Sequence, residues 1–192
     1  AWIKRGSSSA NKSIVSKRDA TYTNGGFDFK ITSTGKVEMS WKNGGTRTIT
    51  SNTIIPTDVW HQVAVIYNGT NASLYIDGVL DTTLPLGSPV AETSESFIIA
   101  AAGKTSTTAF FEGNIDEVRV WNKALTEEQL RFVMNQEIEN NTNVAGSYFN
   151  NGLVVPGGTP QPAVTPTKND IAAVPWSNLR GYYPMSTYTF TN

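Results

Sequence analysis

Trp60-His61-Gln62-Val63-Ala64-Val65-Ile66-Tyr67, followed by Leu74-Tyr75-Ile76-Asp77-Gly78-Val79-Leu80, decides how this chain folds. The first run is apolar on both faces, as expected of a strand at the centre of a sheet. The second centres on Asp77-Gly78, which suits a type I′ turn because that turn needs positive φ at both central positions. Such a hairpin sets Ile76 opposite Val79 and Tyr75 opposite Leu80. A tight antiparallel hairpin just after a buried strand is the seed of an all-β fold.

The same grammar extends in both directions. Strand-like runs are expected at 2–5, 13–18, 26–32, 36–42, 46–51, 60–67, 72–76, 79–83, 96–101 and 113–121. Asn24-Gly25-Gly26, Thr34-Gly35 and Asn43-Gly44-Gly45 mark turns between them. In 36–42, alternation puts Val37, Met39 and Trp41 on one face and Glu38 and Ser40 on the other. One helix is expected over 126–139. Thr126 is its N-cap, Gln129 completes a capping box, and Leu125 and Leu130 form a hydrophobic staple. Leu130, Val133, Met134 and Ile138 make its apolar stripe. The predicted class is an antiparallel all-β sandwich with one short helix after the closing strand.

Composition narrows the function. The 192 residues suit one domain plus an appendage. Only 16% are charged and the net charge is −1, which argues against a nucleic-acid surface. Lys12, Lys17 and Arg18 read as a solvated strand face. With no cysteine, disulfides and thiolate metal ligands are excluded. No apolar run is long enough to cross a bilayer, so membrane insertion is not expected. Ala1-Trp2-Ile3-Lys4-Arg5 reads as the middle of a strand, so the chain is expected to be an excerpt from a longer polypeptide. The sandwich is expected over 1–140, a Pro/Thr/Gly-rich linker or surface strap over 141–170, and a separate aromatic segment over 171–192.

Trp60–Val65 and Leu74–Gly78 combine with Phe111-Glu112-Gly113-Asn114-Ile115-Asp116-Glu117-Val118-Arg119-Val120-Trp121-Asn122-Lys123-Ala124-Leu125-Thr126. Together they resemble the laminin-G-like (LamG-like jelly-roll) domains of the concanavalin A-like lectin/glucanase superfamily. The resemblance covers roughly residues 1–140. It implies two curved antiparallel sheets packed as a jelly roll, with an edge or concave face that takes carbohydrate, protein or calcium. Asp77, Gly78, Asp116, Trp121 and Thr126 stand on its motif as structural residues. Such domains recur in large secreted and cell-surface proteins, including bacterial adhesins with many repeats. The expected function is therefore a non-catalytic adhesion or recognition module at a bacterial surface, or a structural repeat there. The alternative is a carbohydrate-binding module of a polysaccharide-degrading enzyme. Expected partners are extracellular glycans, surface proteins and neighbouring repeats of the same polypeptide.

The residues themselves bear on chemistry. Retaining glycosidases need two carboxylates about 5 Å apart. The superfamily's glucanases place them as Glu-x-Asp-x-x-Glu, and Glu112, Asp116 and Glu117 do not match that spacing. In a continuous strand Asp116 shares a face with Val118 and Val120, which suits a buried acceptor for backbone N–H groups. His61, the one histidine, reads as structural, and no Gly-x-Ser-x-Gly elbow occurs. No enzymatic activity is expected. Calcium is the one ion left open, although no Asp-x-Asp-x-Asp-Gly loop is present. Tyr22, Trp41 and Asn43 are candidates for sugar contact near loop tips, although the face Trp41 shares with Val37 and Met39 favours a core residue there. Asp81-Thr82-Thr83 matches a short O-glycosylation pattern at Thr82. Asn68-Gly69-Thr70 matches an N-glycosylation sequon.

Leu179-Arg180-Gly181-Tyr182-Tyr183-Pro184-Met185 is similar to the opening strand of such domains, Leu-x-x-Tyr-Tyr-Pro-Phe, which residues before Ala1 would otherwise supply. It is expected either to open a following repeat or to complete the edge of this sandwich or a neighbour's.

Overall fold

Alternation of apolar and polar residues resolves into strands whose inward faces share one core. The computed structural model describes residues 1–19, 25–91, 94–103, 109–135, 174 and 178–183, in two units, 1–116 and 117–192. The first unit contains β1 (Trp2–Arg5), β2 (Lys12–Lys17), β3 (Phe27–Ile31), β4 (Lys36–Asn43) and β5 (Gly45–Ile54). It continues with β6 (Trp60–Tyr67), β7 (Asn71–Ile76), β8 (Val79–Pro85), β9 (Ile98–Ile99) and β10 (Gly113–Asp116). These pair as two antiparallel five-stranded sheets, ordered β10-β1-β6-β7-β8 and β5-β4-β3-β2-β9. The all-β jelly-roll class is the one observed.

Both sheets feed one core. Ile3, Val63 and Leu74 come from the first sheet, and Ile14, Val37 and Ile49 from the second; all six are fully buried. Each such side chain contributes roughly 1.5–3 kcal/mol on burial, which is what holds the sheets face to face.

The hairpin at Asp77-Gly78 forms as the turn chemistry predicts. Asp77 and Gly78 have φ of 52° and 73°. Ile76 pairs with Val79, and Tyr75 with Leu80. The Asp77 carboxylate then clasps β6, accepting from the Gln62 main-chain N–H at 2.9 Å and lying 2.8 Å from His61 Nδ1. His61 is thereby tied to the hairpin turn through Nδ1.

The second unit contains β11 (Val118–Trp121), α1 (Glu127–Met134) and β12 (Leu179–Tyr183). Thr126 caps α1, and the reciprocal capping box with Gln129 is present, with separations of 3.2 and 2.9 Å. The expected continuation over 136–139 lies outside the described residues. β12 pairs antiparallel with β11, from Val118 opposite Tyr183 to Trp121 opposite Leu179.

Three expectations need correction. Residues 113–121 do not form one strand: Glu117 has φ of 51°, which ends β10 and starts β11 anew. The alternation that would put Asp116 on one face with Val118 and Val120 is therefore broken. Asp116 is half-buried, not buried. The strand expected at 96–101 is reduced to Ile98–Ile99, with Ala100 at φ of 65°. Among the described residues, no helix is long and apolar enough to cross a membrane.

Candidate functional site

The face of the sheet β5-β4-β3-β2-β9 that points away from the core carries an ordered set of polar side chains. Register places Ser16, Asp28, Ser40 and Thr48 in one row across four strands. The next row holds Ser13, Lys30, Glu38 and Thr50. Strand alternation explains this, since Phe27, Phe29, Ile31, Val37, Met39 and Trp41 take the inward positions of β3 and β4. A bulge between Ser13 and Val15 in β2 lets Ser13 and Ser16 both join the polar face.

Each row contains a neutralised ion pair. Asp28 accepts from Ser13 Oγ at 2.7 Å and from Arg18 Nη2 at 2.9 Å. Its side chain is 1% exposed and that of Arg18 is 12% exposed. Arg18 is therefore not the solvated residue the sequence suggested; a carboxylate recessed in the sheet draws it in. Lys30 Nζ lies 2.8 Å from Glu38 Oε1 and donates to Ser40 Oγ at 3.3 Å. Glu38 Oε2 accepts from Thr50 Oγ1 at 3.1 Å. Thr48, at the end of the first row, is exposed.

One end of this face is fenced by the segment after β8. Val90 donates to Lys42 O at 2.8 Å and accepts from Gly26 N at 3.0 Å. Further on, Lys17 Nζ donates to Glu95 O, and Phe97 packs against Phe27 at 6.4 Å. Ser16 Oγ donates to Ala101 O at 2.9 Å. Ser13, Ser16, Asp28 and Ser40 are buried, so the groups this face offers are the Thr48 and Thr50 hydroxyls, the Lys30 ammonium and the half-buried Glu38 carboxylate, on strands ~4.8 Å apart. Such an array suits a ligand that both donates and accepts hydrogen bonds at short intervals. It gathers no strong net charge.

The residues singled out from sequence fall elsewhere. Trp41 is 1% exposed and meets Tyr67 edge-on at 5.1 Å, so its ring belongs to the core. The face it shares with Val37 and Met39 decides this, and no ring face is left for a pyranose. Asn43 ends β4 beside the exposed Gly44, and its amide occupies the space a side chain at Gly87 would need. Tyr22 lies outside the described residues. Thr82 is half-buried within β8, opposite Leu74. Asn68 uses its side-chain oxygen to accept from Thr70 N and Asn71 N at 3.0 and 2.9 Å, closing the β6–β7 turn.

Glu112 is exposed. Glu117 bonds Arg119 Nη2 and, at 2.7 Å, the Tyr182 hydroxyl. Among the described residues, no three carboxylate or imidazole side chains gather as a metal cluster. Sequence reasoning missed Arg18, Asp28, Lys30 and Thr50. The signal was there in the polar alternation at 28, 30, 38, 40, 48 and 50, but only strand order brings those positions into rows.

Solved structures share this architecture. The Ruminococcus gnavus IT-sialidase CBM40 is 22% identical, with a TM-score of 0.59 over 69% of this chain and 78% of that one. A Bacteroides ovatus ATCC 8483 protein assigned to carbohydrate binding is 22% identical, with a TM-score of 0.56 over 68% of this chain. This chain spans 38% of that protein. The heptameric SAP-like pentraxin of Limulus polyphemus is 16% identical, with a TM-score of 0.51 over 69% of this chain and 66% of that one. At these identities the likeness is one of fold. No curated protein matches the chain. Residues 1–131 match the family model described as the concanavalin A-like lectin/glucanases superfamily, and the chain belongs to that family.

Proposed function

We propose that this chain is a non-catalytic glycan-recognition module, and that the polar face of β2–β5 is its binding surface. The observation that carries this reading is the accessible part of the two cross-strand rows, Lys30, Glu38, Thr48 and Thr50, which the buried Ser13, Ser16, Asp28 and Ser40 back from within the sheet. Sugar hydroxyls donate and accept at short intervals, and a preorganised array of hydroxyl and charged groups meets them at little entropic cost. The Ruminococcus gnavus CBM40 bound to α2,3-sialyllactose, 21% identical with a TM-score of 0.58, supports a glycan as the ligand class.

The parent is proposed to be a large secreted or cell-surface protein of a bacterium, with this module as an adhesin repeat. Protein ligands at the surface are the second class of partner. The sialidase origin of the CBM40 relatives favours the other reading, a carbohydrate-binding module beside a degrading enzyme. Repeated copies in the parent sequence separate the first from the second. Calcium, if it takes part, would act through loop oxygens, and the binding test therefore runs with and without it.

The test is a glycan array probed with the wild-type chain and with the double variant Lys30→Ala/Glu38→Ala, which removes both charges of one row together. Binding to a defined glycan set, weakened at least tenfold in the variant, is the expected outcome. Unchanged binding by a folded variant would move the site off this face.

A further inference from the structure

β12 comes from a distant part of the sequence. It lies beyond the residues 1–131 that match the family model, yet it pairs with β11 inside them. Their contact is self-contained. The register runs over four paired positions, the Tyr182 hydroxyl donates to Glu117 Oε1 at 2.7 Å, and the Arg119 guanidinium lies 5.4 Å from the Tyr182 ring centroid. The Asn122 main-chain N–H donates to Asn178 O at 2.9 Å. All of these contacts join residues far apart in sequence. Between α1 and β12 stand residues 135–178, rich in Pro, Thr and Gly over 155–170. A chain of about forty residues spans up to roughly 130 Å when extended. The covalent path therefore permits β12 to reach its own β11 or that of another molecule.

We propose that the β11 edge is a strand-acceptor site, and that its second occupant is the Leu179–Tyr183 segment of another copy of this chain. Three features favour a second copy over an unrelated partner. Every copy carries both halves of the contact, so reciprocal exchange closes on itself without new surface, which is the low-cost route to swapped assemblies. The main-chain ladder gives affinity, and Tyr182 against Glu117 and Arg119 fixes the register, as in strand-addition recognition. Among the described residues β11 and β12 also form a sheet of only two strands, a pairing that is marginal by itself and so open to replacement. In a polypeptide that repeats this unit, the same contact would link each module to its neighbour.

The test uses the full chain. Gly181→Pro/Tyr182→Ala removes a donor position and the anchor ring from β12 while leaving β11 untouched. A fluorescent synthetic peptide of residues 175–186 is then titrated into the variant and the wild type. The expected result is binding to the variant at least tenfold tighter than to the wild type, whose own β12 competes, and none for a scrambled peptide. Equal binding to both, or binding to neither, would overturn the proposal.

A second measurement keeps native β11 and β12. The chain has no cysteine, so Asn192→Cys gives a single labelling site. Donor- and acceptor-labelled chains mixed at concentrations approaching the roughly millimolar effective concentration of a tethered strand should develop energy transfer over time. Excess peptide should suppress that signal. No transfer, or transfer that the peptide leaves unchanged, would count against exchange.

Discussion

Asp28 concentrates the electrostatics of the polar face. It is almost wholly buried and depends on Arg18 and Ser13 for its hydrogen bonds. Truncating it strands a recessed guanidinium, and cutting a buried pair on one side costs about 3–5 kcal/mol. Asp28→Ala should therefore lower unfolding stability by about that much in denaturant titration, whereas Asp28→Asn, which keeps an acceptor for Ser13, should recover part. Asp81 behaves differently. Partial burial pulls its carboxyl up, but hydrogen bonds from the Thr53 side chain and the Asn52 and Thr53 main chain, with the charge of Lys36, outweigh this and lower it. A carboxyl lowered in the folded state binds fewer protons there than in the unfolded chain. Its stabilising contribution is thus complete above the ordinary carboxylate range and fades as pH falls through the folded value. Wild type should exceed Asp81→Asn in urea midpoint near neutrality, and the gap should close on acidification. A gap unchanged by acid would refute the clasp. At this scale alternation was an accurate guide to Trp41, which follows the apolar Val37 and Met39 on one face. It gave no hint that Arg18 is recessed, because Asp28 reaches Arg18 only through strand pairing.

The elements divide by how local their causes are. The hairpin at Asp77-Gly78 and the cap at Thr126 were legible because the residues that make them lie within four positions. Thr126→Ala removes the side-chain oxygen that accepts from Gln129 N and should cost about 1 kcal/mol, read as a lower midpoint of thermal unfolding. The division of 113–121 was not legible, since Glu117 has no intrinsic preference for positive φ. It is held there while its carboxylate engages Arg119 and Tyr182, the latter distant in sequence. At the other end of β10, Gly113 has φ of 129°, and a Cβ there would sit 2.1 Å from Lys4 O. Gly113→Ala must therefore push β10 off β1. A loss of more than about 2 kcal/mol is expected, with faster amide exchange in both strands. Wild-type exchange rates in β1 would show that β10 tolerates the displacement.

At the scale of the whole molecule, the sequence disclosed a jelly roll but not the polar rows on one of its faces. Each strand carries only two of the row side chains, and their meaning appears when four strands are set in order. The same arrangement bears on catalysis. Asp28 and Glu38 are the carboxylates of that face, and each already accepts from a cation and a hydroxyl. Neither is presented to a glycosidic oxygen as a proton donor, the role one member of a glycosidase pair must fill. Of Glu112, Asp116 and Glu117, the carboxylates weighed from the sequence, none lies in the rows, and Glu112 is exposed. The wild-type chain should therefore retain a bound polysaccharide without releasing reducing ends, and Glu112→Gln should bind as the wild type does. Reducing-sugar release by the wild type that Glu112→Gln abolishes would make this a hydrolase and reassign the site. With no release, a loss of retention in Lys30→Ala/Glu38→Ala would fix recognition on the β2–β5 face.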